Sequence, residues 1–203
     1  VTNPPIDPFR EKVVMSLQCP IGPEANILQP NAKQVHRLWL KQPVISIADL
    51  DVLKLTTHRG WSTFIIDTTF AASEGAAGLL PALNRICEEA QRASQSHQIL
   101  ILSDRNSSAD QVPISSLLAL GAVHHHLIEA RNRMKVALVV ESAEIREVHH
   151  VCVSLGYGAD AICPYLALEL ASGLRDQGVL DTNLTDDAIY QSYAQAMQTG
   201  ISK

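Results

Sequence analysis

Apolar residues along this chain gather into short runs separated by longer stretches of helical spacing, and the alternation becomes regular after Trp61. Ser62–Ile66 is a β-branched and aromatic run. A helix-length segment from about Ala76 to His97 follows, with Leu79, Leu80, Leu83, Ile86, Cys87 and Ala90 at three- and four-residue spacing. Gln98–Leu102 is the next apolar run, closed by Ser103, Asp104 and Arg105. Ser107 to Asp110 then has the S-x-x-D spacing of a capping box ahead of a helix over Ile114–Arg131. Val136–Val140 repeats the pattern, with Ser142 as N-cap of a helix through Leu155 and Gly156-Tyr157-Gly158 as its glycine C-cap. Ala159–Cys163 is the last run, and Pro164 falls where a first helical turn tolerates proline.

Four strand-then-helix units thus fit in about 110 residues. Runs that are apolar at every position, joined by amphipathic helices, imply parallel strands buried on both faces, because a parallel connection needs a long crossover. The predicted class is α/β, with parallel strands alternating with helices. Four units leave two forms open, an open sheet and a partial (β/α) barrel. Before this body, seven of the ten prolines fall within the first 43 residues, which read as a proline-rich N-terminal arm with a helical turn or two around Phe9–Leu17. Residues 44–175 form the α/β body in this reading. Residues 176–203 form a connector and a closing helix over Thr185–Thr199, with Asp186 and Asp187 in its first turn.

Composition narrows the function. Sixteen Lys and Arg against 21 Asp and Glu give a net charge of −5, without a dense basic cluster, and aromatics are only 4%, so no nucleic acid is expected as a partner. No apolar run approaches the length of a membrane span, so no membrane is expected either. Cys19, Cys87, Cys152 and Cys163 lie far apart, without CxxC or CxxH spacing, and read as reduced, mostly buried thiols.

In parallel α/β sheets the polar residues just beyond the strand C-termini are the usual site residues. Here these are Asp67, Asp104 with Arg105, Glu141 with Ser142, and Tyr165. A rim of Asp104, Arg105, Glu141 and Ser142 has the makings of a polar-ligand site. The plainer alternative is that Asp104 and Ser142 cap helices and Arg105 pairs with a neighbouring carboxylate. The histidines add little: His124, His125 and His126 are adjacent, so on a helix they diverge by about 100° per residue, and Glu147 with His150 lacks the second Glu-x-x-His of a helical di-iron site. The segment VHHHLI reads equally as a strand or a buried turn. With no GxSxG and no phosphate loop, neither catalytic, cofactor-binding nor metal-binding residues are expected.

Longer words in the sequence carry a resemblance. VTNPPIDPFREKVVMSLQCPIGPEANIL, ILILSDRN, VPISSLLALGAVHHHLI and VALVVESAEIREVHHVCVSLGYGADAICPYLALE resemble, in order and over nearly the whole chain, the central domain of the large glutamate synthases. It departs from the family pattern at Cys163, where a polar residue is usual, and at Ala143, where glycine is common.

The resemblance implies a parent chain in which an amidotransferase domain releases ammonia from glutamine and a central domain follows. An FMN-binding barrel with an iron–sulfur cluster then builds glutamate from 2-oxoglutarate, using electrons from ferredoxin or a nicotinamide-dependent reductase subunit. On this reading the sequence is a fragment, starting where the amidotransferase domain ends and stopping before the flavin motifs. Its partners would be the amidotransferase and FMN domains of the same chain, and it would hold no cofactor of its own. The compartment would be the cytoplasm, or a plastid in a photosynthetic eukaryote. Thr2 and Asn3, next to the first catalytic domain, are the candidates to line an ammonia tunnel, since a hydroxyl or amide can hydrogen-bond neutral ammonia. A different expectation is a free-standing module that binds an anionic metabolite or phosphate at Arg105, and a third is an interaction domain.

Overall fold

The computed structural model describes residues 15–24 and 26–203. Thr2, Asn3 and most of the helical turn expected around Phe9–Leu17 lie outside these residues, and Met15–Leu17 carry no helix. Chain order begins with β1 (Cys19–Ile21) and β2 (Leu38–Leu40), an antiparallel pair in which Pro20 faces Trp39. A single parallel bridge then sets Val44 against Ile162. Helix α1 (Ile47–Lys54) follows, opened by a capping box in which Ser46 and Asp49 each accept from the other's backbone N–H.

The sheet consists of β3 (Thr63–Asp67), β5 (Ile99–Ser103), β7 (Ala137–Glu141) and β8 (Ala161–Cys163), all parallel, in the order β3-β5-β7-β8. It is an open sheet: among the described residues nothing joins β3 back to the Val44 edge. Helices α2 (Leu79–Ala93), α3 (Ser116–Glu129) and α4 (Val148–Gly156) make the three crossovers, and α5 (Tyr165–Asp176) and α6 (Asp186–Ile201) complete the chain.

The crossover hand decides which face each helix covers. From β3 to β8 every connection steps to the next strand on the same side, so one hand puts α2, α3 and α4 on one face. Ile86, Ala90, Leu120, Val123 and Val151 do pack there, against Ile66, Leu100, Leu102, Leu138, Val140 and Ile162. The connection from Val44 to β3 runs back across the whole sheet, which puts α1 on the opposite face. Leu50 and Leu53 there meet Ile99, Ile101, Ala137, Val139 and Ala161. Successive strand residues serve opposite faces, so β5 and β7, buried at every position, are apolar up to their last residues, Ser103 and Glu141.

Several boundaries differ from the sequence pattern for local reasons. Ala72–Gly78 is a 3-10 turn interrupted at Gly75, whose φ of 56° no regular helix accommodates, so α2 starts at Leu79. Ser107–Asp110 caps nothing: the segment turns into β6 (Gln111–Pro113), which pairs antiparallel with β4 (Thr69–Ala71). Pro164 is the residue before α5 rather than part of its first turn. VHHHLI lies within α3, neither strand nor turn. Gly158 does end α4 with φ at 109°, and its backbone lies so close to α3 that a Cβ there would be 2.1 Å from His124 Nδ1.

Gly158→Ala therefore meets a φ penalty and a clash together, and should lower the unfolding free energy by about 2 kcal/mol. Gly173→Ala, in open space within α5, should instead raise it by about 0.5 kcal/mol. Urea denaturation of both variants checks the pair.

Candidate functional site

The polar residues beyond the strand ends converge where the sheet changes covering. The helix leaving β7, α4, packs on one face through Val148, Val151 and Leu155, whereas the helix leaving β8, α5, packs on the other through Tyr165 and Leu166. Two neighbouring strands whose connections part to opposite faces leave a crevice at their carboxyl ends. Glu141, Ser142 and Ala143 form one wall of it, and Cys163, Pro164 and Tyr165 the other.

Glu141 stands at the centre, with 1% of its side chain exposed. Its Oε1 accepts from Lys54 Nζ at 2.9 Å and from Arg105 Nε at 3.2 Å, and its Oε2 from Ser103 Oγ at 2.7 Å. Arg105 Nη1 reaches Glu169 Oε1 at 2.6 Å, and the guanidinium lies 4.1 Å over the Tyr165 ring. Burial opposes the charge on Arg105, but the bonds and fields of Glu169 and Glu141 prevail and hold its pKa above the ordinary value. Lys54 and Arg105 therefore both have carboxylate partners, and one network ties α1, β5, β7 and α5 together.

Asp104 takes the other side of the crevice. Ser142 Oγ donates to it at 2.9 Å and Ala143 N–H at 2.9 Å. Burial nevertheless raises the Asp104 pKa, with the Glu144 charge adding to the effect. Burial and the adjoining Asp104 likewise push the Tyr165 phenol up, and burial next to Glu141 pushes the Cys163 thiol up to about 12. A thiol so hard to ionise is a poor nucleophile. Asp67 belongs to a separate cluster: it accepts from Thr69 N–H, Thr69 Oγ1 and Asn106 Nδ2, each at 2.8 Å. Burial opposes its charge, but these bonds and Arg85 outweigh it and lower the pKa.

Asp104 and Ser142 do not cap helices. The Ser142 hydroxyl accepts from Glu144 N–H at 3.0 Å, and α4 starts later, after an uncapped Glu147. Its neighbour Glu144 instead caps α3, accepting from Ser116 N–H at 2.6 Å. Lys54, Glu144 and Glu169 gave no signal in the sequence, since each acts on an element remote along the chain. Among the described residues no three His, Cys, Asp or Glu side chains converge on a metal position. His124 accepts from Arg133 Nε at 3.0 Å, and burial together with that guanidinium lowers its pKa. Cys152 is exposed, while Cys87 and Cys163 are buried, and all four cysteines are free.

Glu141→Gln removes the carboxylate that Lys54 and Arg105 share and should cost about 2 to 3 kcal/mol of stability, less than a fully buried pair because Arg105 keeps Glu169, Lys54 keeps Asp51 and both keep some water contact. Lys54→Met leaves Glu141 paired with Arg105 and should cost less. Urea midpoints rank the two. The carboxylates Asp67 and Asp104 act oppositely with pH. The lowered pKa of Asp67 gives stability that is present above 3.8 and lost as pH falls through its folded value. The raised pKa of Asp104 gives stability that is complete below 3.8 and lost as pH rises through its folded value. Melting scans from about pH 3 to pH 7 should show a shallower acid limb for Asp67→Asn than for the parent, and a steeper one for Asp104→Asn.

Comparison of the sequence with known proteins gives its family. The family described as glutamate synthase central domain matches residues 1–203. The chain is 45% identical over 206 residues to glutamate synthase [NADH] of Schizosaccharomyces pombe, covering 100% of this chain and 10% of that protein. It is 39% identical over 204 residues to the glutamate synthase [NADPH] large chain of Bacillus subtilis, covering 100% of this chain and 13% of that one. It is 37% identical over 217 residues to ferredoxin-dependent glutamate synthase 2 of Synechocystis, covering 100% of this chain and 14% of that one. The chain thus spans about a tenth of the length of these curated relatives, and it belongs to the glutamate synthase central domain family.

Proposed function

We propose that this chain is the non-catalytic central domain of a glutamate synthase, joining a glutamine amidotransferase domain to an FMN-binding synthase domain and helping to wall the ammonia tunnel between them. The observation that carries this reading is the family match over all 203 residues, with full-chain likeness to proteins about ten times longer. The parent enzyme makes glutamate from glutamine and 2-oxoglutarate. Its reducing equivalents come from ferredoxin or a nicotinamide nucleotide, the donors in the relatives' names. FMN and the iron–sulfur cluster sit in the following domain. The parent works in the cytoplasm, or in a plastid as the chloroplastic relatives of Arabidopsis thaliana and Spinacia oleracea do.

The geometry supports a scaffold. Holding two reaction centres at a fixed separation needs a body that resists deformation, and a sheet covered on both faces has that property. The cations of the rim are bonded to carboxylates of the same chain, which leaves Arg105 poorly placed to take an external anion.

Two measurements test the proposal. The purified chain should show no flavin absorbance and no thermal shift with FMN, glutamine, 2-oxoglutarate or phosphate, and a saturable shift with any of them would overturn the non-catalytic reading. In the full-length enzyme, Thr2→Val should leave glutamine hydrolysis intact while less glutamate forms per glutamine consumed. An unchanged ratio removes Thr2 from the tunnel wall.

A further inference from the structure

We propose that the crevice at the carboxyl ends of β7 and β8 is a carboxylate-binding site that the chain fills with its own Asp104 side chain. This inference is independent of the tunnel and of the parent's reaction. The crevice is where an open parallel sheet has room for a ligand, because the connections from its two strands diverge. Its donors are the Ser142 hydroxyl and Ala143 N–H, both after β7, while Tyr165, after β8, adjoins Asp104 on the other side. The acceptor comes from a third strand, through the loop leaving β5.

The donors are arranged as for a bound anion. Ala143 N–H lies 2.9 and 3.2 Å from the two carboxylate oxygens and so straddles the group. Ser142, fully buried, accepts from Glu144 N–H and turns its own hydrogen toward Asp104. Asp104 is only 3% exposed and forms no ion pair among the described residues, since its neighbour Arg105 is directed at Glu141 and Glu169. A buried carboxylate held by neutral donors and a backbone amide is the arrangement a small carboxylate ligand requires. The side chain supplies the volume of acetate, so the site takes a monocarboxylate of one or two carbons when Asp104 is cut back.

The test is chemical rescue in the purified chain. Asp104→Gly removes the carboxylate and leaves its space, and thermal unfolding should drop by several degrees. Sodium formate or acetate should restore it saturably, with a midpoint on the order of 10 mM, while chloride at equal ionic strength should not and the parent should not respond. Adding Ser142→Ala to Asp104→Gly should weaken the rescue. Equal effects of formate and chloride on Asp104→Gly overturn the proposal.

Should Asp104→Gly be unfolded without an anion, refolding yield becomes the readout. A cooperative transition recovered in formate but not in chloride supports the site, and none recovered in either overturns it. Asp104→Asn, which refills the space and keeps one acceptor oxygen, should fold and ignore formate. A formate response equal to that of Asp104→Gly also overturns the site.

Discussion

A carboxylate buried at the end of β7 fixes the geometry of the whole upper rim. Glu141 has almost no water contact, and a charge in that position persists only where donors replace its hydration. Lys54 comes from the helix that crosses the back of the sheet, Arg105 and Ser103 from the neighbouring strand and its loop. Satisfying one side chain therefore sets the position of α1 against β7 and of the β5 loop against both. Arg105 passes the constraint on to α5 through Glu169 and the Tyr165 ring.

The same anchoring uses up the polar groups at a place where open sheets usually bind ligands. Each acid in the crevice is bonded to donors of its own chain, and the one thiol beside it resists ionisation. What remains is a rigid connection between sheet edge, sheet centre and both helical layers. In the proposed role between two catalytic domains, that rigidity would make the distance between their centres a property of this fold.

The fold could be read from the chain wherever burial leaves a periodic mark. The first four residues of β5 and of β7 are all apolar because both faces are covered, and the helices between them show their spacing clearly. Short elements left no such mark: β4 and β6 have three residues each and pair through backbone atoms, and Gly75 breaks the start of α2 through its φ alone. At the rim, Asp104, Arg105, Glu141 and Ser142 could be found because strand ends are where chemistry collects. Their partners could not. Lys54 lies 87 residues from Glu141 and Glu169 lies 64 from Arg105, and each looks locally like an ordinary helical surface charge. Ser142 misled for a related reason, since a serine after a strand is equally suited to cap a helix and to hold a carboxylate.

The bridge between Val44 and Ile162 imposes an order of assembly. Ile45 N–H donates to Ile162 C=O and Ile162 N–H to Pro43 C=O, so within the sheet the Val44 segment pairs with the strand that ends it, roughly 120 residues later. While the chain emerges from a ribosome, β3, β5 and β7 can pair successively with what is already made. Val44 must wait until β8 is made before its backbone can pair in the sheet. Closing so long a loop is entropically costly, which makes this edge the last part of the sheet to form and its opening the first step by which the folded domain would come apart.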